Sequence, residues 1–411
     1  MIILMIAAPS IFNGASGQNR VKVNLQEAIQ LALDSNKSIR SADYNVAAQK
    51  ALKGASWDIP KTVIAGQYGQ ISSYQHDNSL AISQEFAFPS VYINQNRLAK
   101  ANLVSAGLQL QSTRLDIATQ VKQSYGQLVY FYAKHALLLY QDSLYAGFLR
   151  AAELRSKSGE TNRLEMITAR NQSLEIKNQL RQVIADESIF HRKLQNLLNS
   201  SGPLEISDTV LRRAAFTPGG DSMPLNANPS LGYIKQQTEV ARITGQLEQS
   251  RMMPDLSIGY FSQTMIGTQE VNGSPRSFDA GYRFTGLQAG VTIPLWFGPG
   301  VSRARAARMQ EKSALSSADY YAGSLRNNLQ SLLDEAGKFS ASLDYYEQQA
   351  IPEASLIIDQ ATRSYRAGAL DYLEYVINLN RALDIRQSYL DALSSYNQTI
   401  INIEYITGKI Y

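Results

Sequence analysis

The residues with the clearest chemistry are two glutamates that occupy matched positions in the two halves of the chain. Glu165 follows Gly159 by six residues, and Glu374 follows Gly368 by six, 209 residues further along. A carboxylate near the start of a helix can accept a hydrogen bond from the backbone N–H of the capping residue. A carboxylate left in solvent can instead attract cations. The spacing fits helix capping alone, and it also fits capping combined with an electrostatic role.

The residues around these glutamates predict two turns between antiparallel helices. Gly159 and Gly368 suit the left-handed position that ends a helix. Asn162 and Asp371 suit the N-cap of the returning helix, and the glutamates three residues later would complete capping boxes. The predicted turns, which we call the hairpin tips, span about residues 158–162 and 367–371.

No other group of residues indicates catalysis or cofactor binding. His76, His135 and His191 share no spacing typical of metal ligands, and cysteine is absent, which excludes disulfides and thiolate sites. Lysine and arginine total 39 against 35 acidic residues, without the concentrated basic face that nucleic acid requires. We therefore expect no enzyme activity, no cofactor, no metal site and no nucleic-acid partner.

The elements that position the tips are very long helices. Residues from about Val91 to Lys157 contain no proline and are rich in helix formers. About 60 helical residues rise roughly 90 Å, which exceeds the size of a compact core. A returning helix is expected over about 163–199, and a second pair over about 301–367, interrupted at Pro352, and 371–407.

Two pairs of short strands are predicted between the helices. Leu80, Ile82 and Phe86 alternate with Ser83 and Glu85, as in a strand with one apolar and one polar face. The predicted strands span about 62–71, 79–88, 255–265 and 284–293.

The order helix, β-hairpin, long helix, tip and returning helix therefore occurs twice, so the fold is expected to be mainly α with a small β part. The first helix starts at a capping box, Asn24 with Glu27, and is predicted to run to about Trp57. An apolar run ending in small residues predicts a signal peptide. The expected divisions are a signal peptide over 1–17, a first repeat over 18–200, a linker over 201–227 and a second repeat over 228–411.

Four strands impose a condition on assembly. Strands in a membrane must close into a barrel so that no edge stays unpaired, and the smallest such barrels have about eight strands. Four strands from one chain are too few. Several copies must therefore share one barrel, with their long helices packed side by side around the same axis.

The duplicated halves, the opening "NLQEAIQLALDSN", the proline-bounded hairpins and the Gly-x-x-x-x-Leu-Glu tips resemble the TolC-type outer membrane efflux family over about residues 23–409. The resemblance implies a homotrimer with a 12-stranded outer-membrane β-barrel that continues into a periplasmic α-helical barrel. It also implies an exit duct in the outer membrane, with most of the chain in the periplasm. The implied partners are a periplasmic adaptor protein, an inner-membrane efflux pump and outer-membrane lipid.

The resemblance also implies roles for particular residues. Tyr365 stands at the position of a family tyrosine that links neighbouring hairpins at a closed periplasmic gate, and Glu165 is its expected hydrogen-bond partner. Glu374 would add a negative field at the mouth. Leu370 occupies a position that is often basic in the family, which removes the expected ionic link. The tip residues expected to contact the adaptor are Gly159, Asn162, Gly368 and Asp371.

Aromatic residues near the strand ends could mark the membrane boundary. Phe86, Phe88, Trp296 and Phe297 lie where transmembrane barrels carry aromatic girdles. Ordinary strand propensity explains the same residues. A second function also stays open at this point: a periplasmic coiled-coil adaptor or scaffold without a pore would carry similar long helices.

Overall fold

The computed structural model describes residues 21–159, 163–200, 202, 204–216 and 225–410. The predicted signal peptide and the tip residue Asn162 lie outside these residues. Within them, no helix combines the length and apolar character needed to cross a membrane.

The strands are β1 (Val21–Val23), β2 (Val63–Gly69), β3 (Asp77–Phe86), β4 (Leu204–Ile206), β5 (Asp255–Gln263), β6 (Gly267–Val271), β7 (Ser274–Phe278) and β8 (Phe284–Thr292). The α-helices are α1 (Leu25–Ser35), α2 (Lys37–Gly54), α3 (Pro89–Lys157), α4 (Arg163–Leu197), α5 (Pro229–Ser250), α6 (Gly298–Tyr345), α7 (Ile351–Arg366) and α8 (Tyr372–Ile406).

The two predicted β-hairpins form one antiparallel sheet in the order β2-β3-β5-β8. Its register gives the sheet two different faces. One face carries the cross-strand rows Ile82–Tyr260–Leu287 and Phe86–Leu256–Val291, and the other carries Ser83–Gly259–Gln288 and Glu85–Ser257–Gly290. Leu287 is 86% exposed and Ile64 is 69% exposed. The apolar face of this sheet is therefore left uncovered in the single chain.

The loop between β5 and β8 folds into a hairpin of its own, where the sequence interpretation expected only a longer loop. Strands β6 and β7 pair in antiparallel fashion. Asn272 and Gly273 join them with φ angles of 53° and 79°. An Asn-Gly pair adopts these positive angles easily and matches the twist of two-residue hairpins. The carboxylate of Asp77 holds the start of this loop by accepting the N–H of Ile266 at 2.9 Å.

The prediction of one unbroken helix up to Trp57 is wrong, because the chain breaks at Asn36 between α1 and α2. The Asn36 carboxamide oxygen accepts the N–H of Ser38 at 2.8 Å, and its NH₂ donates to the Leu197 carbonyl at 2.8 Å. This side chain thus caps the start of α2 and the end of α4 together. The predicted capping box of Asn24 and Glu27 is confirmed at the start of α1.

The second repeat contains the same asparagine junction. Asn228 accepts the N–H of Ser230 at 2.9 Å and donates to the Ile406 carbonyl at 3.0 Å. Leu197 and Ile406, the two acceptors, are 209 residues apart, the spacing of the hairpin tips. The duplication is therefore visible in buried hydrogen bonds as well as in the order of elements.

A π-helical turn at Tyr346–Ala350 separates α6 from α7, directly before the predicted interruption at Pro352. A π turn accommodates one extra residue in a helix. Buried positions before the turn match between repeats at a spacing of 208, as in Ile117/Leu325, Val121/Leu329 and Leu128/Ala336. Those after it match at 209, as in Tyr145/Ala354 and Ala152/Ala361. The turn therefore contains the one residue by which the two repeats differ here.

Candidate functional site at the helical hairpin tips

The two tips have the backbone geometry that the sequence predicts. Gly159 and Gly368 adopt φ angles of 76° and 73°, a left-handed conformation that glycine adopts without strain. The Ala369 N–H donates to the Ser364 carbonyl at 2.9 Å and closes the second tip. Asp371 then caps α8 by accepting the N–H of Glu374 at 2.8 Å.

A three-residue contact, which we call the tip tie, joins the two hairpins. The Tyr365 hydroxyl donates to Glu165 Oε1 at 3.3 Å, as the sequence interpretation predicted. Arg155 Nη1 donates to the same hydroxyl oxygen at 3.3 Å and lies 3.8 Å from Glu165 Oε1. Arg155 and Glu165 come from the first hairpin and Tyr365 from the second. One neutral donor, one cation and one carboxylate therefore link α3 and α4 to α7.

Aromatic rings surround the tyrosine of the tip tie. Tyr365 stacks on Tyr375 with ring centroids 4.6 Å apart, and Phe148 stacks on Tyr372 at 4.9 Å. Burial raises the pKa of the Tyr365 phenol above its ordinary value. The hydroxyl therefore stays protonated, and remains a donor to Glu165, throughout the neutral pH range.

Below this cluster the two hairpins pack through small side chains. Ala152, Ala169, Ala354, Ala361 and Ala382 are at most 5% exposed and belong to one core formed by α3, α4, α7 and α8. Small residues allow helix backbones to approach closely. The tip tie is thus built at the end of a close-packed bundle.

The second glutamate is placed differently from the first. Glu374 is exposed, and its carboxylate does not reach back to the Asp371 N–H, so only the Asp371 half of the predicted capping box forms. Among the described residues no basic side chain pairs with Glu374, so its carboxylate faces solvent at the tip.

Arg155 is the tip residue that the sequence interpretation missed. Leu370 does stand where the family often has a basic residue, but the cation comes from the other hairpin. Arg155 and Glu165 are equidistant from residue 160, the centre of the first tip. Residues equidistant from an antiparallel turn face each other, so this symmetry could have identified the pair.

The predicted boundary aromatics lie where the sheet meets the helices. Trp296 is 88% exposed and Phe297 is 53% exposed, while Phe86 and Phe88 are half-buried. Phe88 and Phe297 directly precede α3 and α6. The sequence interpretation missed Trp57, which is 61% exposed and stacks on Tyr92 with ring centroids 5.8 Å apart.

An open sheet with an uncovered apolar face, joined to helices about 100 Å long, defines one segment of a membrane channel. Comparison with known proteins supports that class. Residues 222–409 match the family model of outer membrane efflux proteins. No curated protein matches the chain.

Solved structures of bacterial outer membrane channels share the fold over nearly the whole chain. The Campylobacter jejuni CmeC outer membrane channel is 16% identical with a TM-score of 0.78, and the match covers 94% of this chain and 85% of that one. The Vibrio cholerae outer membrane protein VceC is 16% identical with a TM-score of 0.75, covering 94% and 96%. The open state of the Neisseria gonorrhoeae MtrE outer membrane channel is 15% identical with a TM-score of 0.72, covering 99% and 98%.

These identities show a shared fold, and the family match adds the function. The second half of the chain thus matches the outer membrane efflux protein family, and the whole chain has the fold of these channels. The predicted fold class is confirmed, and so are the outer-membrane location and the role as an exit duct. The family consists of channel proteins rather than enzymes. The reading as an adaptor without a pore is therefore not favoured.

Proposed function

We propose that three copies of the chain assemble into one conduit that carries substrates from a periplasmic adaptor and an inner-membrane pump to the exterior. The observation that carries this proposal is the four-stranded sheet with strand β2 at one edge and β8 at the other. In lipid, each unpaired backbone N–H or C=O costs several kcal/mol. Pairing β8 of one copy with β2 of the next satisfies both edges and gives 12 strands after three copies.

The helices support the same arrangement. Contacts run from α2 to α3, from α3 to α5 and from α5 to α6, so these helices form one layer beneath the sheet. Helices α2 and α6 lie at the two ends of the layer, directly below β2 and β8. Closing the sheet three-fold also brings α6 of one copy beside α2 of the next. A continuous helical wall results.

The hairpin tips would form the periplasmic mouth, contact the adaptor through Gly159, Asn162, Gly368 and Asp371, and open by separation of the two hairpins. The tip tie is suited to hold them together. A hydrogen bond to a charged acceptor stabilises by about 1.5–3 kcal/mol, and the 3.3 Å length of the Tyr365–Glu165 bond places it at the low end. Arg155 is 43% exposed, so its pair with Glu165 adds at most about 1 kcal/mol. A tie of this strength can be broken by a docking partner.

The test is the assembly state together with conduction. Purified protein in detergent should have the mass of a trimer by light scattering, and it should form ion-conducting pores in planar bilayers. A stable monomer without conductance would contradict the proposal, because four strands cannot satisfy their own edges in lipid. A soluble periplasmic protein after cell fractionation would support the adaptor reading.

A further inference from the structure

Helices α3 and α6 carry the same pattern just below the sheet. Each exposes an apolar residue, followed four and seven positions later by two basic residues. We call these the basic triads; they are Ile93, Arg97 and Lys100 on α3, and Val301, Arg305 and Arg308 on α6. All three positions differ by 208 between the triads, the spacing that relates the repeats before the π turn. The pattern therefore occupies structurally matched positions in both repeats.

Each triad forms one exposed stripe on its helix. Spacings of four and seven residues place side chains on the same face. Ile93 is 48% exposed and Val301 is 54% exposed, and the four basic residues are all exposed. In the described part of the chain, no carboxylate pairs with these four cations. The neighbouring Arg303, by contrast, lies 3.2 Å from Glu248.

The height of the triads along the helices fits a membrane surface. Arg97 and Lys100 lie about 12–16 Å from the start of α3, and Arg305 and Arg308 about 10–15 Å from the start of α6, at about 1.5 Å per residue. Ile93 and Val301 are nearer the sheet, at about 5 Å. The exposed rings of Trp296 and Phe297 lie just before α6, where the proposed membrane boundary falls. The order is thus apolar side chain first and cations one to two turns further away.

The direction of the helices brings the cations closer to the bilayer. Side chains on a helix tilt toward its N-terminus, and the N-termini of α3 and α6 are their membrane ends. Long basic side chains can also extend toward a headgroup while their methylene stems stay on apolar surface. The headgroup region of a bilayer is roughly 5–7 Å thick on each side. The backbones of the four basic residues therefore lie beyond this layer, and their side chains extend back toward the phosphates.

We propose that the basic triads bind the headgroups of anionic phospholipids in the periplasmic leaflet. The apolar residue of each triad contacts the acyl boundary and the two cations contact the phosphate. Clusters of basic residues beside a membrane attract anionic lipid. The inference rests on the membrane topology of the proposed function, and three copies would carry six triads in a ring.

The experiment compares lipid retention by native mass spectrometry. Purified trimer is mixed with phosphatidylglycerol or with phosphatidylcholine, and lipid bound per trimer is counted after mild activation. The parent protein should retain phosphatidylglycerol selectively. R97Q/K100Q and R305Q/R308Q should each lower that retention to about half, because each leaves three of the six triads. The quadruple variant R97Q/K100Q/R305Q/R308Q should reduce it about tenfold or more, and phosphatidylcholine retention should not change.

A matched control removes two charges from the same helices far from the membrane. Arg114 and Arg326 are exposed on α3 and α6, about 40 Å from the helix starts. R114Q/R326Q should therefore retain phosphatidylglycerol as the parent does.

Equal retention by the triad variants and the parent would overturn the proposal. An altered anion preference of the triad variants in phosphatidylcholine bilayers would also overturn it, because the cations would then line the conduit. Loss of trimer or conductance in the parent is a separate result that counts against the proposed function.

Discussion

The two hairpin tips share one sequence pattern and use it differently. The Glu165 side chain is 12% exposed and takes part in the tip tie, whereas Glu374 is exposed to solvent. The residue that matches Arg155 in the second repeat is Ser364, 209 positions later. Among the residues that the structure describes, no cation lies opposite Glu374 to draw it inward. The duplication thus kept the turn and the cap in both halves, while the side-chain partners diverged.

The largest effect is expected from reversing the charge of Arg155. Arg155→Glu replaces an attraction to Glu165 by repulsion at a separation of 3.8 Å. Losing the attraction and adding a repulsion of similar size changes the balance by roughly 2 kcal/mol in each copy, or roughly 6 kcal/mol in three, and raises the open population by up to about 10⁴-fold. Single-channel recording should show this increase. Arg150→Glu is the control, because Arg150 is exposed and donates to a backbone carbonyl of its own helix. Equal conductance of both variants would show that the tip tie does not hold the mouth.

A smaller increase is expected when the hydrogen bond is removed without adding repulsion. Tyr365→Phe combined with Glu165→Gln deletes the hydroxyl and the charge of its acceptor, at about 1.5 kcal/mol per copy. Closed-state conductance should rise while the melting temperature of the trimer stays nearly unchanged. Tyr320→Phe, which alters a residue 78% exposed on α6, should change neither. A lower melting temperature with unchanged conductance would mean that the tip tie is structural only.

The exposed glutamate should affect selectivity rather than opening. Three copies of Glu374 give the mouth a negative field, so Glu374→Gln should lower cation preference, measured as a shift in reversal potential under a salt gradient. Its carboxylate takes no part in the cap, so the melting temperature should not fall. Glu353→Gln on the exposed face of α7 is the matched control. A lower melting temperature with unchanged selectivity would assign Glu374 to capping.

The smallest effect within ordinary conditions is the pH dependence of the tip tie. Burial raises the folded pKa of Tyr365 above its unfolded value of about 10. The hydroxyl therefore contributes fully below about pH 10, and its contribution is lost as the pH rises through the folded pKa. Closed-state conductance should be flat from about pH 7 to 9 and rise above about pH 10. Tyr365→Phe should not show the alkaline rise that depends on this phenol.

Local patterns in the sequence were enough to predict the helices, the four main strands and the tips. The tip glycines, Asp371 and the proline-free runs determine the backbone conformation of only a few neighbouring residues. Their effect can therefore be predicted from the local sequence. The break at Asn36 depends instead on a carbonyl 161 residues away. The tip tie depends on how two hairpins pack, which no single segment specifies. The β6–β7 hairpin was different, because its Asn272-Gly273 signal was local and was overlooked.

The π turn at Tyr346–Ala350 absorbs one extra residue, so both ends of the second repeat keep the orientation of the first. One residue corresponds to about 100° of rotation about a helix axis. If these residues were wound into ordinary α-helix instead, the extra residue would rotate α7 by that angle, and Tyr365 would turn away from Glu165. The π turn therefore allows α6 at the sheet end and α7 at the mouth end each to keep its own orientation. Change at the mouth, such as a new partner for a glutamate, need not disturb the part of the chain that lies in the membrane.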